Sequence, residues 1–170
     1  MKPFLLSLLL LFAMLSCNDK PVTKANTADS TVYAFDNNDT NVNLAMSKAK
    51  NTFPKFDSAF RNHKYDSGTC AVKLRFDAKN NMENVKIEHL WATEITYENG
   101  NYYGVMDQPH FTTEVKSGQK VKIDPEKVSD WMYAEKGILR GGYTIRATRN
   151  KMPEQQRVHF DATYPFKIEN

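Results

Sequence analysis

The sequence predicts an α+β fold in which one or two helices pack on a curved antiparallel β-sheet, arranged as a meander, within a single domain. Apolar residues first recur at helical spacing, in residues 42–61, and then alternate with polar residues from position 69 onward. Tight-turn pairs such as Asn99-Gly100 interrupt the alternating part. A length of 170 residues, 41% of them hydrophobic, suits one core, because domains typically hold about 100–200 residues.

The first residues predict where the protein resides. Met1-Lys2-Pro3 precedes an apolar run from Phe4 to Leu15, which is too short for a membrane-spanning helix of about 20 residues. The run ends in Met14-Leu15-Ser16-Cys17, which resembles the lipobox of bacterial lipoproteins. We expect residues 1–16 to be a lipoprotein signal peptide and Cys17 to carry the lipid; an ordinary secreted protein is the alternative. This predicts a membrane-anchored protein of the cell envelope, facing the periplasm or the cell surface.

Residues 17–40 are expected to form a flexible tether and residues 41–170 the folded domain. Asn, Asp, Thr, Ser and Lys dominate the tether, which therefore lacks the apolar area that would offset the entropy of ordering. With Cys17 lipidated, Cys70 is a lone thiol. We expect it to be a small buried hydrophobe, with a reactive nucleophile as the alternative.

Residues 42–61 predict an amphipathic helix, since capping-type asparagines precede an apolar stripe. The stripe consists of Leu44, Ala45, Ala49, Phe53, Phe56 and Phe60. Pro54 predicts a kink or a restart, because proline lacks the N–H donor and clashes with the preceding turn.

Two strands with one buried face each should follow, at residues 69–77 and 84–97. The expected inward side chains are Cys70, Val72, Leu74 and Phe76 in the first strand and Val85, Ile87, His89, Trp91, Thr93, Ile95 and Tyr97 in the second. Turn-forming residues 77–81 would join them antiparallel, and Asn99-Gly100 predicts a type I′ hairpin into residues 102–106. A further hairpin, from residues 111–116 to 119–124, would complete the meander.

The last third of the chain combines aromatic residues with glycines, in residues 129–146. Residues 142–149 fit either a strand or a helix, because Tyr143 and Ile145 alternate but the following residues show no clear period. Pro153 followed by Glu154 predicts a short helix to about Asp161. Residues 164–166 should pin the tail against the core.

The same region predicts a binding surface, because aromatic and arginine side chains dominate interface energetics. The expected binding residues are Trp131, Tyr133, Arg140, Tyr143 and Arg146, with Asp130, His89 and Trp91 as further members. Another envelope protein is the expected partner. Asp130 also has structural alternatives, since it could cap the turn or pair with Arg140 or Arg146.

Other functions have less support. A net charge of +3 without a run of lysines or arginines argues against nucleic acid as a partner. The histidines lack metal-ligand spacing, and nucleotide-binding and nucleophile motifs are missing, so we predict no metal, cofactor or catalytic residue. His89 is expected to be structural. Two alternatives stay open: a hydrolase or other small-molecule enzyme using His89 with Asp130, and an envelope structural factor without a pocket.

Several motifs, taken in order, resemble those of the DUF2314 family. They are Asn43-x-Ala45 with Lys50-Asn51-Thr52, then Glu88-His89-Leu90-Trp91, Gly104-Val105-x3-Pro109, residues 129–133 (SDWMY) and residues 141–146 (GGYTIR). The resemblance covers about Asp39 to Asp161. It implies a small α+β domain, and it implies no catalytic residue, because the family has no assigned activity.

Overall fold

A computed structural model describes residues 39–78 and 86–169. Its elements are α1 (Thr40–Arg61), β1 (Ala71–Asp77), β2 (Ile87–Glu98), β3 (Asn101–Met106), β4 (Lys120–Lys122), a 3-10 turn (Pro125–Lys127), β5 (Val128–Glu135), β6 (Ile138–Gly141), α2 (Tyr143–Lys151) and α3 (Glu154–Thr163). The strands form one antiparallel sheet in the order β4-β3-β2-β1-β5-β6. The α+β prediction is confirmed, but β5 pairs with β1 instead of extending a simple meander. The predicted signal peptide, Cys17, nearly all of the tether, Val85 and the turn at residues 79–81 lie outside the described residues.

Helix α1 begins at Thr40, two residues before its predicted start, because Asp39 caps it in place of the predicted asparagines. The Asp39 carboxylate accepts hydrogen bonds from the backbone N–H groups of Asn41 and Val42, at 3.0 and 3.3 Å. Of the kink and the restart predicted at Pro54, the restart is wrong, since the helix is continuous through this residue; the kink stays a prediction. Leu44 is also misassigned: its side chain is 63% exposed, while Val42 begins the buried stripe that continues through Ala49 and Phe56. Positions seven apart share a helix face, and Leu44 lies off that line.

The sheet has one face under α1, which we call the helix-side face, and an opposite one, which we call the open face. The predicted inward set of β1 is confirmed as Cys70, Val72, Leu74 and Phe76, all buried on the helix-side face. In β2 the prediction is wrong: Glu88, Leu90 and Ala92 are the buried residues. They pair with Phe76, Leu74 and Val72. His89 and Trp91 consequently lie on the open face.

Glu88 explains why the face of β2 was misassigned. Its side chain is a carboxylate, which normally faces water, yet the residue is only 7% exposed. The two carboxylate oxygens accept hydrogen bonds from the backbone N–H groups of His110, Phe111 and Thr112, at 2.7, 2.9 and 2.7 Å. A buried charge with three such donors is compensated. The loop that supplies them comprises residues 107–119.

A β-bulge returns the second half of β2 to the predicted face. The pairing register between β2 and β3 shifts between Thr93 and Thr96, where Glu94 has a φ of 48°. Ile95 thereby packs against the core, directly over Gly104. A Cβ on Gly104 would lie 2.9 Å from both the Ile95 Cδ1 and the Ala92 Cβ atoms, so the glycine provides the space that the bulge requires.

The two predicted hairpins have different outcomes. Asn99 and Gly100 both have positive φ, at 50° and 80°, and join β2 to β3 as predicted. Residues 111–116 are not a strand, because Glu88 holds this segment as a loop. Strand β4 therefore pairs directly with β3.

The C-terminal region packs beside β5 and β6. Residues 143–151 are helical, which settles the open alternative, and α3 follows Pro153 as predicted. The tail is held beside β6 by Lys167, the residue after the predicted 164–166: Leu139 donates its backbone N–H to the Lys167 carbonyl, and Lys167 donates its own to the Gly137 carbonyl, both at 2.9 Å. Within the predicted segment, the Tyr164 hydroxyl lies 3.6 Å from the Met132 sulfur. Among residues 39–78 and 86–169, the helices lack the combination of length and hydrophobicity that a membrane-spanning helix requires.

Candidate binding surface

Asp130 is fully buried and caps helix α2 from the neighbouring strand. Its carboxylate accepts hydrogen bonds from the backbone N–H groups of Trp131, Tyr143 and Thr144, at 2.8, 3.1 and 2.7 Å. The Thr144 hydroxyl donates a fourth bond at 2.6 Å. Burial raises the pKa of Asp130, against the opposing effects of these donors and of the Lys73 charge. The capping alternative is therefore the observed one, and Asp130 pairs with neither Arg140 nor Arg146.

Trp131 belongs to the core, with only 2% of its surface exposed. Its indole N–H donates to the Ala49 carbonyl of α1 at 2.9 Å, and its ring lies 5.6 Å from the Tyr143 ring. Gly141 allows the chain to pass this indole: its φ is +69°, and a Cβ there would lie 2.2 Å from the Trp131 carbonyl oxygen. Gly141 and Trp131 therefore both contribute to the packing of the core.

The two arginines of the predicted surface form hydrogen bonds and an ion pair with groups in residues 135–169. Arg146 donates from Nε to the Gly141 carbonyl at 3.0 Å and from Nη2 to the Leu139 carbonyl at 2.8 Å, and Nη1 donates to the Glu169 carbonyl. Arg140 pairs with Glu135 at 3.0 Å. Of the five residues expected to form the surface, Trp131 is excluded by burial, and Tyr133 and Tyr143 are partly buried against the α1 side. Binding through the remaining exposed atoms of this group stays a prediction.

The open face carries a different set of aromatic and cationic side chains. The pairing register and the alternation of side chains place on it Lys73, Arg75, His89, Trp91, Thr93, Tyr103, Val105, Lys120 and Lys122. Arg75, Thr93, Lys120 and Lys122 are exposed, and the others are partly exposed. Helix α1 lies on the opposite face, and α2 packs against α1, α3 and β5. Strands β2 to β4 therefore present this face to solvent, whereas α2 contacts Lys73 on β1 through Thr144.

Lys73 connects the open face to the buried Asp130. Its ammonium donates to the Thr144 hydroxyl at 3.1 Å and lies 4.8 Å from the centre of the Trp91 ring. Burial lowers the pKa of Lys73, while the Asp130 charge counteracts the shift. A second cation–π pair on the same face places the Lys120 ammonium 5.3 Å from the Tyr103 ring centre.

His89 contacts Ser129 in an arrangement that does not activate a nucleophile. His89 Nδ1 and Ser129 Oγ lie 2.8 Å apart, and the Ser129 hydroxyl donates to the Lys73 carbonyl at 3.2 Å. The hydroxyl has one proton, so when Ser129 donates it to the Lys73 carbonyl, Nδ1 is the donor to Ser129, which is the reverse of general-base geometry. Ser129 is also buried. Burial and the charges of Lys73 and Arg75 lower the pKa of His89 to about 4, so the imidazole is neutral near pH 7.

The proposed enzyme site of His89 with Asp130 is not assembled in the structure of residues 39–78 and 86–169. His89 and Asp130 lie on strands separated by β1, and their side chains bind different partners, Ser129 and Thr144. A groove of about 700 Å³ lies on the helix-side face, but neither residue lines it. Its apolar walls include Leu74, Phe76 and Ile123, each at most 5% exposed. No cluster of potential metal ligands occurs in the described part of the chain.

Comparison with known proteins identifies the domain. The DUF2314 family, described as an uncharacterized protein conserved in bacteria, matches residues 39–167. The chain belongs to the DUF2314 family. It is 37% identical to the uncharacterized protein YegJ of Escherichia coli K12 over 95 residues, which cover 55% of this chain and 59% of YegJ. No solved structure matches the chain significantly.

A second relative of this DUF2314 protein comes from Neisseria meningitidis serogroup B and is named as an ankyrin repeat protein. The two are 31% identical over 140 residues, which cover 80% of this chain and 55% of the relative. The chain thus spans little more than half the length of the curated relatives it matches. The matching DUF2314 domain contains a six-stranded sheet, so the ankyrin name is not transferred to it.

The most specific DUF2314 motifs have architectural roles in this structure. These roles come from residues 129–133 and 141–146. Trp131 packs in the core, Asp130 caps α2, Gly141 lets the backbone approach Trp131, and Arg146 donates to backbone carbonyls. Sequence reasoning missed seven of the nine members of the open face as binding residues, namely Lys73, Arg75, Thr93, Tyr103, Val105, Lys120 and Lys122. A signal was present: each lysine or arginine pair has a spacing of two, which places both cations on one face of a strand.

Proposed function

We propose that this DUF2314 protein is a lipid-anchored binding module of the cell envelope, and that its open face holds another envelope protein. The observation that supports the binding role is the group of exposed cations and partly exposed aromatic rings on strands β1 to β4. Interfaces are enriched in tryptophan, tyrosine and arginine, which Trp91, Tyr103 and Arg75 supply on this face, whereas lysine is depleted in them. The lipobox resemblance at Cys17 supports the anchor and the compartment.

This proposal moves the binding surface away from residues 131–146. Of the predicted binding residues, Trp91 and His89 remain in it, because both lie on the open face. Each is partly exposed, so a partner could contact it without unfolding the domain.

Photo-crosslinking in intact cells tests the proposal. A photoreactive benzoylphenylalanine replaces Thr93, which is exposed at the centre of the open face, in the full chain. The matched control carries the same residue at Lys55, which is exposed on α1 beyond the other face of the sheet. We expect a discrete protein adduct from position 93 that is absent at position 55 and is weakened by Arg75→Glu. Adducts that are absent from position 93, or equal at both positions, would contradict the proposal.

A further inference from the structure

The positive charge of the chain is concentrated in α1 and the residues directly after it. Residues 40–64 hold five lysines or arginines and one aspartate, a net charge of +4, whereas the whole chain carries +3. The five cations are Lys48, Lys50, Lys55, Arg61 and Lys64, and all of them are exposed. Helix α1 therefore presents a local positive field on a chain that is otherwise close to neutral.

The outward face of α1 is the side turned away from the sheet. We define it by four exposed and uncharged residues, Ser47, Asn51, Pro54 and Ser58. At about 100° per residue, Lys48 and Lys55 lie along one side of this face, and Lys50 and Arg61 lie along the other. The aromatic residues of α1, at positions 53, 56 and 60, all pack against the core. The outward face thus combines cations with small polar residues and has no aromatic ring.

The carboxylates near the outward face have other partners. Asp57 accepts a hydrogen bond from the Tyr102 hydroxyl at 2.7 Å. Two further carboxylates form ion pairs, Glu126 with Lys50 at 2.6 Å and Asp39 with Lys151. Lys48 and Arg61 contact tyrosine rings, which leaves their charges uncompensated. Among the described residues, no carboxylate lies within salt-bridge distance of Lys48, Lys55, Arg61 or Lys64.

We propose that α1 lies with its outward face on the surface of an anionic phospholipid membrane, so that the open face points away from that membrane. This inference rests on the lipid anchor of the proposed function. Residues 18–39 separate Cys17 from α1 and can span at most about 80 Å, so the anchor would hold the helix near a membrane surface. Each lysine or arginine close to an anionic surface adds to the attraction.

The chemistry of the outward face favours a lipid surface over a protein or a nucleic acid. Protein hot spots and single-stranded nucleic-acid sites use exposed aromatic rings, which this face lacks. Leu44 lies one helical turn before Lys48 and is 63% exposed, so one apolar side chain stands beside the cations. Cations flanking an exposed apolar side chain are typical of helices that lie on a membrane surface.

Sedimentation with lipid vesicles tests the inference. The full chain carrying Cys17→Ala, which removes the expected lipid acceptor, is mixed with vesicles of phosphatidylcholine alone or with roughly one third phosphatidylglycerol. We expect the anionic vesicles to bind at least about tenfold more tightly, and the difference to shrink as salt rises, because exposed charges are screened. Lys48→Glu/Lys55→Glu should lower the partition coefficient on anionic vesicles by at least about tenfold, because two attractive charges become repulsive.

A matched control separates the outward face from net charge. Lys116→Glu/Lys122→Glu makes the same change of charge at exposed positions in the loop before β4 and on β4 itself. It should leave the partition coefficient within about twofold of the parent, because charges remote from the contact are screened. Both double variants should unfold at the parent's urea midpoint. If Lys48→Glu/Lys55→Glu does not, Lys48→Gln/Lys55→Gln should show a smaller loss of binding in the same direction.

Three results would overturn the inference: equal binding to both kinds of vesicle, equal weakening by both double variants, or tighter binding of a thymidine oligonucleotide than of the anionic vesicles. Because the tested chain has no lipid acceptor at position 17, such a failure leaves the crosslink from position 93, and with it the proposed function, standing. Loss of that crosslink with vesicle binding retained would remove the proposed function alone.

Discussion

A carboxylate on a neighbouring strand can replace the cap that a helix lacks. Helix α2 begins after Gly142, which has no side chain to cap it, and Asp130 on β5 accepts its first N–H bonds instead. One residue thereby fixes β5 to α2, while the adjacent Trp131 fixes β5 to α1. The cap of α2 lies 14 residues before Thr144 in the sequence, so local sequence patterns do not distinguish strand from helix in residues 142–149.

Gly141 should be the most sensitive glycine of the domain. Gly141→Ala is expected to lower the free energy of unfolding by about 3 kcal/mol or more, because the new Cβ meets the Trp131 carbonyl and ring in a left-handed backbone. Gly137→Ala is the control: its φ is similar, at +72°, but a Cβ there has no atom within 4 Å. The control should lose about 1–2 kcal/mol, the cost of the left-handed conformation alone. Urea unfolding measures both, and equal losses would contradict the steric explanation.

His89 should make stability depend on pH in a defined window. Its pKa is about 4 in the folded chain and about 6.5 when unfolded, so only the unfolded chain takes up the proton between these values. The stabilisation is complete above about pH 6.5 and is lost as the pH falls toward 4. Between pH 7.5 and 5 the parent should lose about 2 kcal/mol more than His89→Asn. Urea unfolding at both pH values checks this, and parallel losses in parent and variant would exclude the assignment.

At the scale of elements, α1 contains a proline that its packing tolerates. Pro54 is exposed in the interior of a 22-residue helix, where proline costs about 3 kcal/mol relative to alanine. Pro54→Ala also increases the conformational entropy of the unfolded chain, which reduces the gain in stability by up to about 1 kcal/mol. We expect a net gain of about 1–2 kcal/mol in the free energy of unfolding, seen by urea or thermal unfolding. The control Lys55→Ala, at the next exposed position, should change the free energy of unfolding little. A loss of stability in Pro54→Ala would contradict the prediction and would mean that the proline ring makes stabilising contacts.

The elements also show which features could be predicted from sequence. The buried face of β1 and the Asn99-Gly100 hairpin follow from neighbouring residues, and both predictions are correct. The face of β2 depends on donors 22–24 residues away that bury Glu88, and residues 111–116 alternate without a strand to pair with. The dense aromatic and glycine stretch of residues 129–146 fits a binding surface as well as a packed core, because tight packing and recognition use the same residue types.

At the scale of the whole molecule, substituting each of the two cysteines separately tests whether Cys17 carries the proposed lipid anchor. Cys17→Ala should abolish incorporation of labelled palmitate and release the protein from the membrane fraction, because Cys17 is the expected lipid acceptor. Cys70→Ala should keep both properties: Cys70 is buried, and burial raises its pKa to about 12, which leaves the thiol unreactive. Labelling that survives Cys17→Ala would exclude the lipoprotein assignment.

The pairing of Lys167 with β6 has a consequence for how the protein is synthesised. Strand β6 is the edge strand of the sheet on its side, and the segment that covers this edge leaves the ribosome after β6, because it follows α2 and α3 in the chain. Until then, the N–H and C=O groups of β6 are free to pair with a strand of another chain. Chains truncated before residue 164 should therefore aggregate more readily than complete ones, even where their core residues are all present.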